Sequence, residues 1–294
     1  MILGQIGEDQ LIATLTRNLP HGPEVRVSIG DDCAVIAFPG ESRWRLLKTD
    51  AVVEGIHFLP DEEMRRVGWK ALCRAISDIA AMGGLPEHAL VTLAVAREAK
   101  VESVRRLYAG LKRAAKRFGV SIVGGETSRS PGPLFLNIAL TGSVEPERCV
   151  LRSGGKPGDA IYVTGRLGGS ITGKHLDFIP RLAEARWLTE HFHLHAMMDL
   201  SDGIGADLPR LAAASRCGYL LDPERLPRTA GVTPQNALSD GEDYELLFTV
   251  GAEVAPLLEQ AWKSRFRKLP LTRIGALTVP TRSRKPSHGF DHFA

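Results

Sequence analysis

In the first half of the chain, short apolar runs with two-residue alternation take turns with longer stretches in which apolar residues recur every three or four positions. "EVRVSI" (24–29) and "RWRLLKT" (43–49) carry the first pattern and predict strands. From about Asp61 to Met82, Val67, Ala71, Leu72, Ala75 and Ile79 fall at helical spacing and predict a helix. "HALVTLAV" (88–95), "VSIVGG" (120–125) and "LFLNIALTGSV" (134–144) predict further strands, with a helix over Val101–Phe118. This half is mixed α/β.

After Val144, proline and glycine accumulate in "VEPERCVLRSGGKPGD" before the next apolar run, "AIYVTG". That stretch predicts a boundary and two domains, 1–146 and 147–294. The second part adds a helix around Ala206 to Ala214 and a strand in "YELLFTV". At 294 residues and 44% hydrophobic composition, the chain is near the length at which one core divides into two.

Charge changes the picture mainly by exclusion. The net +3 is spread through the chain, with no basic run interleaved with aromatics, so no nucleic-acid partner is expected. "MILGQIGEDQLIATL" is broken by Gly-Glu-Asp before a signal-peptide core develops, and no later run has membrane-spanning length. A cytoplasmic protein with a small-molecule partner and no membrane association is expected. Cys33, Cys73, Cys149 and Cys217 lack the paired spacing of a zinc site or a disulfide framework.

The candidate chemistry lies in carboxylates that follow or interrupt apolar runs: Asp31 and Asp32, Asp50, Asp78, Glu126, Asp199 and Asp202, Glu242 and Asp243. Any one alone reads as a cap or a turn. As a set, mostly flanked by Gly or Ser, they are expected to meet where strand ends converge on a crevice. Carboxylates about 5 Å apart repel by roughly 3 kcal/mol at an effective dielectric near 20, so such a cluster requires cations. Oxygen donors without thiolates or paired histidines select a hard ion, Mg²⁺ where phosphates complete the shell, and this points to a nucleoside triphosphate. Arg152, beside Gly-rich backbone, suits phosphate oxygens. "GGSITGKH" (168–175) nearly matches a P-loop through Lys174, but His175 stands where a hydroxyl must hold magnesium, so it reads as a Gly-rich connection. His191, His193 and His195 alternate without a further partner and stay unassigned.

"IGDDCAVI", "TDAVVEGIHF", "SDIAAMGGLP", "VGGETS", "LRSGGKPGDAIYVTG", "DLSDG", "GEDYELLFT" and "GFDHF" follow one another over nearly the whole chain. In that order they resemble the thiamine-monophosphate kinase family, relatives of aminoimidazole ribonucleotide synthetase, selenophosphate synthetase and a hydrogenase-maturation protein. The resemblance implies an N-terminal α/β domain that forms a homodimer through its sheet and a second α/β domain closing over nucleotide and substrate. It implies transfer of the ATP γ-phosphoryl group to thiamine monophosphate. Carried over by motif, it implies magnesium ligation by Asp32, Thr49, Asp50, Asp78, Glu126, Asp199 and Asp202. It further implies ATP contacts from Tyr108, Gly125, Glu126, Arg152 and Ser201, and thiamine-phosphate contacts from His57, Glu242 and Phe290. The acceptor is already anionic, so positioning and charge neutralisation suffice without a strong general base. An aromatic face such as Phe290 suits a cationic thiazolium ring.

Three positions depart from the family pattern. Glu126 stands where "GGDT" is usual, Lys48 where Ser or Thr precedes "TD", and Asp240 where Gly precedes "GEDYEL". Two competing expectations follow from them: an ATP-dependent cyclo-ligase of the synthetase type, from Glu126, and a non-catalytic thiamine-phosphate binder, from Lys48 and Asp240.

Overall fold

The computed structural model describes residues 3–280, and the fold is mixed α/β. Its first part runs α1 (Glu8–Leu15), β1 (Val25–Val27), β2 (Ala34–Ile36), β3 (Trp44–Val53), α2 (Met64–Ala81), β4 (Leu85–Val95), α3 (Val101–Phe118), β5 (Ser121–Arg129) and β6 (Phe135–Val144). The strands form one sheet in the order β1-β2-β3-β6-β4-β5, antiparallel throughout except for the parallel β4–β5 pair. Alternation sorts its two faces. Leu46 and Val52 on β3 and Leu136, Ile138 and Leu140 on β6 are buried against the helices, while Leu47 is exposed on the other side. The strand expected at 24–29 is shorter and only half-buried, because it lies at the sheet's edge.

α3 is amphipathic, burying Leu107, Leu111, Ala114 and Ala115, and ends at Gly119, whose φ of 72° supplies the left-handed conformation that closes a helix. α2 differs, being buried on nearly all sides, as a helix enclosed by several layers must be. One side packs on the sheet and one on α3. Its end, Ala80 and Ala81, enters a core formed by the second part of the chain.

That second part runs β7 (Ala160–Thr164), α4 (Lys174–Asp177), α5 (Leu182–His191), β8 (Ala196–Asp199), α6 (Ile204–Ala214), β9 (Gly218–Leu221), α7 (Pro234–Ser239), β10 (Leu246–Val250), α8 (Ala255–Arg265) and β11 (Leu271–Thr278). Its strands make an antiparallel sheet in the order β8-β10-β7-β11-β9. No helix among the described residues is long and apolar enough to cross a membrane. α2 is thus shared by both sheets' surroundings, and Leu176, Phe178 and Tyr244 of the second part join the core of the first.

Candidate functional site

Asp32, Asp78 and Asp199 meet at the seam. Asp32 comes from the turn between β1 and β2, Asp78 from the last turns of α2, and Asp199 from the end of β8. All three are buried, and one carboxylate oxygen from each lies within 4.8 Å of the others. Only Asp199 sits at a strand end, so the convergence expected of strand ends is a meeting of a turn, a helix and a strand. At this spacing each pair of charges repels by about 3 kcal/mol, and protein cations answer it. Arg152 donates from Nε at 3.1 Å and from Nη2 to Asp32 Oδ1, while its backbone N–H binds Asp31. Lys48 donates to Asp78 Oδ1 at 2.7 Å. Asp50, within β3, faces the same interior and lies 3.6 Å from Arg74 Nη2. Ser77 donates to Asp199 Oδ2 at 2.6 Å.

The electrostatics follow from this packing. Burial and the charge of Asp32 push Asp199 up to about 7 and Asp31 to about 6. Burial lifts Asp78 well above the ordinary carboxylate range against the pull of Lys48. Burial alone would lower Lys48, but Asp78 and Asp50 outweigh it and hold the ammonium charged. Asp32 Oδ2 is buried with no hydrogen-bond partner. A buried orphan oxygen amid convergent hard donors fits a small divalent cation.

The remaining implied residues are not among the three whose oxygens converge. Thr49 is exposed on the opposite face of the sheet from Lys48 and Asp50, with its hydroxyl bonded to Asn137 at 2.9 Å. Glu126 is exposed on β5, in register with Thr92. Gly125 beside it is required by the backbone: its φ is +152°, and a Cβ there would stand 1.8 Å from the carbonyl oxygen of Val91. Tyr108 is half-buried on α3 against the first core. Asp202 is held by Arg210, which also binds Asp207, and Asp207 in turn accepts from the backbone N–H groups of Ser201 and Asp202. Phe290 lies outside the described residues.

A second constellation surrounds Lys70, two turns before Asp78 on α2. Its amine is fully buried and donates to the carbonyl of His57 at 2.5 Å and to Glu242 at 2.8 Å, with His175 Nδ1 at 2.9 Å. The Glu242 loop is strained to reach it, since Glu242 and Tyr244 take φ of 53° and 50°. Tyr244 donates to Glu242 Oε1 and stacks on Phe178 at 3.9 Å. His57, in the turn after β3, accepts at Nδ1 from the backbone N–H of Val53 at that strand's end. Burial would raise Glu242, but His175 and Lys70 hold it down at about 2; burial lowers Lys70 to about 8.

The Gly-rich connection keeps its amides for the chain itself. Gly168 N donates to Asp243 and Gly169 N to Asp240, while Lys174 lies near Asp243 and Glu245. Asp240, a departure in sequence, therefore fastens this loop. His195 is bonded to Asp159, and His191 to the carbonyl of Trp187. Lys70 and Ser77 escape a sequence reading because helical lysines and serines ordinarily face solvent, and His175 because it reads there only as the end of a Gly-rich connection.

Known proteins resemble this chain in one domain family, in curated relatives and in solved structures. The family described as AIR synthase related protein, N-terminal domain, matches residues 30–144. The thiamine-monophosphate kinase of Rhodopirellula baltica is 40% identical over 292 residues, 93% of this chain and 90% of the relative; that of Bacillus subtilis is 31% identical over 306 residues, 94% and 93%. The solved structure of AaThiL complexed with AMPPCP and TMP superposes with a TM-score of 0.85 at 31% identity, covering 99% of each chain.

Proposed function

This chain belongs to the thiamine-monophosphate kinase family, and from that premise we propose that it transfers the γ-phosphoryl group of ATP to the phosphate of thiamine monophosphate, giving ADP and thiamine diphosphate. The observation that carries this reading is that helix α2 supplies one residue to each constellation, Asp78 to the buried Asp32–Asp78–Asp199 cluster and Lys70 to its pair with Glu242. Lys70 and Asp78 are eight residues apart, so one rigid helix sets a separation of about 12 Å along its axis between a phosphate end and a substrate end.

Asp32, Asp78 and Asp199, with Asp50 beside them, are the residues that would hold magnesium, which when bound neutralises the phosphate oxygens so that two polyanions can meet. Arg152, already at the cluster, is placed to take phosphate oxygens by its planar fork. Glu242 offers its carboxylate to the thiazolium cation, and Lys70 and His175 keep that carboxylate ionised and oriented. Nothing in this reaction needs a strong base. Residues 1–146 and 147–294 act as two domains, the second closing on the nucleotide. The exposed sheet face with Leu47 and Leu90, on which Thr49 also lies, is the homodimer surface.

The test is product formation from ATP, Mg²⁺ and thiamine monophosphate, followed by chromatography, with Asp199→Asn as control. That change keeps an acceptor for Ser77 and removes a charge. Thiamine diphosphate and ADP in equal amounts, at least 100-fold slower in the control, are expected. ATP consumption without thiamine diphosphate would reject the assignment.

A further inference from the structure

Lys48 is fixed by strand geometry as well as by charge. Alternation along β3 turns Leu46, Lys48, Asp50 and Val52 to the side covered by α2, so a long side chain at position 48 has only the seam to enter. Its ammonium ends 2.7 Å from Asp78 Oδ1, with only 21% of the lysine side chain and 9% of the aspartate side chain exposed. Asp78 is one of the three residues whose oxygens converge within 4.8 Å. An ammonium on Oδ1 occupies a lone pair that a metal would use, and it repels any cation brought to the same oxygen. At the other end of the cluster, Asp32 Oδ2 has no partner at all. Arg152 holds Asp32 Oδ1, so the asymmetry lies in the remaining oxygens: Lys48 sits on Asp78 Oδ1, while Asp32 Oδ2 stays open toward the cluster.

We infer that the Lys48 ammonium is a built-in cation that takes the place of one divalent ion at the Asp78 end of the cluster, so that this chain binds one metal ion fewer per site than it would with a hydroxyl at position 48. This rests on the reading of the cluster as a magnesium site. A tethered charge is present at any metal concentration, so it also makes the site less dependent on magnesium supply.

The test counts Mn²⁺ bound by the whole protein saturated with AMPPCP, by equilibrium dialysis with electron paramagnetic resonance of free Mn²⁺, for the wild type, Lys48→Ser and Lys48→Arg. The serine variant is expected to bind one more Mn²⁺ per chain than the wild type, and the arginine variant the same number. Equal counts in the wild type and the serine variant overturn the inference. Should the serine variant fail to fold, crystals of the wild type soaked in Mn²⁺ decide: anomalous peaks near Asp32 with Lys48 still on Asp78 support it, and a peak on Asp78 Oδ1 with Lys48 displaced overturns it. The count involves no turnover, so failure of the kinase reading appears as missing thiamine diphosphate in a protein that still binds Mn²⁺. A wild type that binds no Mn²⁺ overturns this inference together with the magnesium assignment.

Discussion

Lys70 has no exposed side-chain surface, and its amine is held by Glu242 and the His57 carbonyl. Removing one member of a buried ion pair leaves the other charge desolvated, a loss of about 3–5 kcal/mol. Lys70→Met is accordingly expected to lower unfolding free energy by that amount in urea titrations, and Lys70→Met/Glu242→Gln by less than the sum of the single changes. In the fraction that folds, KM for thiamine monophosphate should rise at least tenfold with KM for ATP little changed. The pH dependence has a definite sign. Glu242 is lowered from 4.5 to about 2 on folding, so its contribution is complete above about pH 4.5 and fades as pH falls toward 2. Glu242→Gln should flatten that part of the acid-unfolding curve, and an unchanged curve would contradict the pairing. Glu242 and His57 could be picked out by motif, whereas Lys70 could not. Its burial depends on Glu242, 172 residues away, closing over a helix that in sequence looks half polar.

The element on which both constellations stand is α2, and its seating depends on two glycines. A Cβ on Gly68 would lie 2.0 Å from the carbonyl oxygen of Leu107 on α3, and one on Gly110 would lie 1.9 Å from that of Arg65 on α2. Each helix thus approaches the other's backbone through its partner's missing side chain. Gly68→Ala or Gly110→Ala must push the helices apart, and because the obstacle is backbone, no rotamer change relieves it. We expect a loss of about 3 kcal/mol, the upper end for overpacking, read from thermal unfolding, and no loss for Gly132→Ala, which has open space. The elements that could be read from sequence share a property: α3, β3, β4 and β6 are long and have one buried face, so periodicity marks them. β2, β8, β9 and β11 are short or depend on pairing with distant strands, whereas α2, expected from about Asp61 to Met82 and found at Met64–Ala81, shows its period but not its burial on nearly all sides. The carboxylate cluster was legible as a set of motifs but not as a geometry. Thr49 and Asp50 are adjacent in sequence, yet the strand turns them to opposite faces.

At the scale of the molecule, the seam between the two sheets is where both constellations lie, so whatever holds it governs the site. Besides the apolar packing of α2 and the Arg152–Asp32 and Lys70–Glu242 pairs at the site itself, a carboxylate away from the site spans it. Glu145, just past β6, accepts from Arg43 of the first part at 2.7 Å and from Arg186 on α5 of the second at 2.7 and 3.0 Å, while Arg186 also binds the carbonyl of Gly83. The Arg186 hydrogen bonds, against a small burial cost, lower Glu145 to about 2. With 23% of its side chain exposed, the bidentate network contributes about 1–2 kcal/mol after allowance for solvent screening. Glu145→Ala should therefore lower Tm by several degrees at pH 7. Glu145 has a depressed folded-state pKa, so the difference from the wild type should persist above about pH 4.5 and close as pH falls toward 2. A purely local ion pair would lower Tm without touching the site. A clamp across the seam also loosens the register of Asp199 against Asp32 and Asp78, so Glu145→Ala should raise the metal concentration needed for half-maximal product formation, and Arg186→Met should do the same. A fall in Tm with unchanged metal dependence would show that Glu145 does not set the alignment of the two parts at the site.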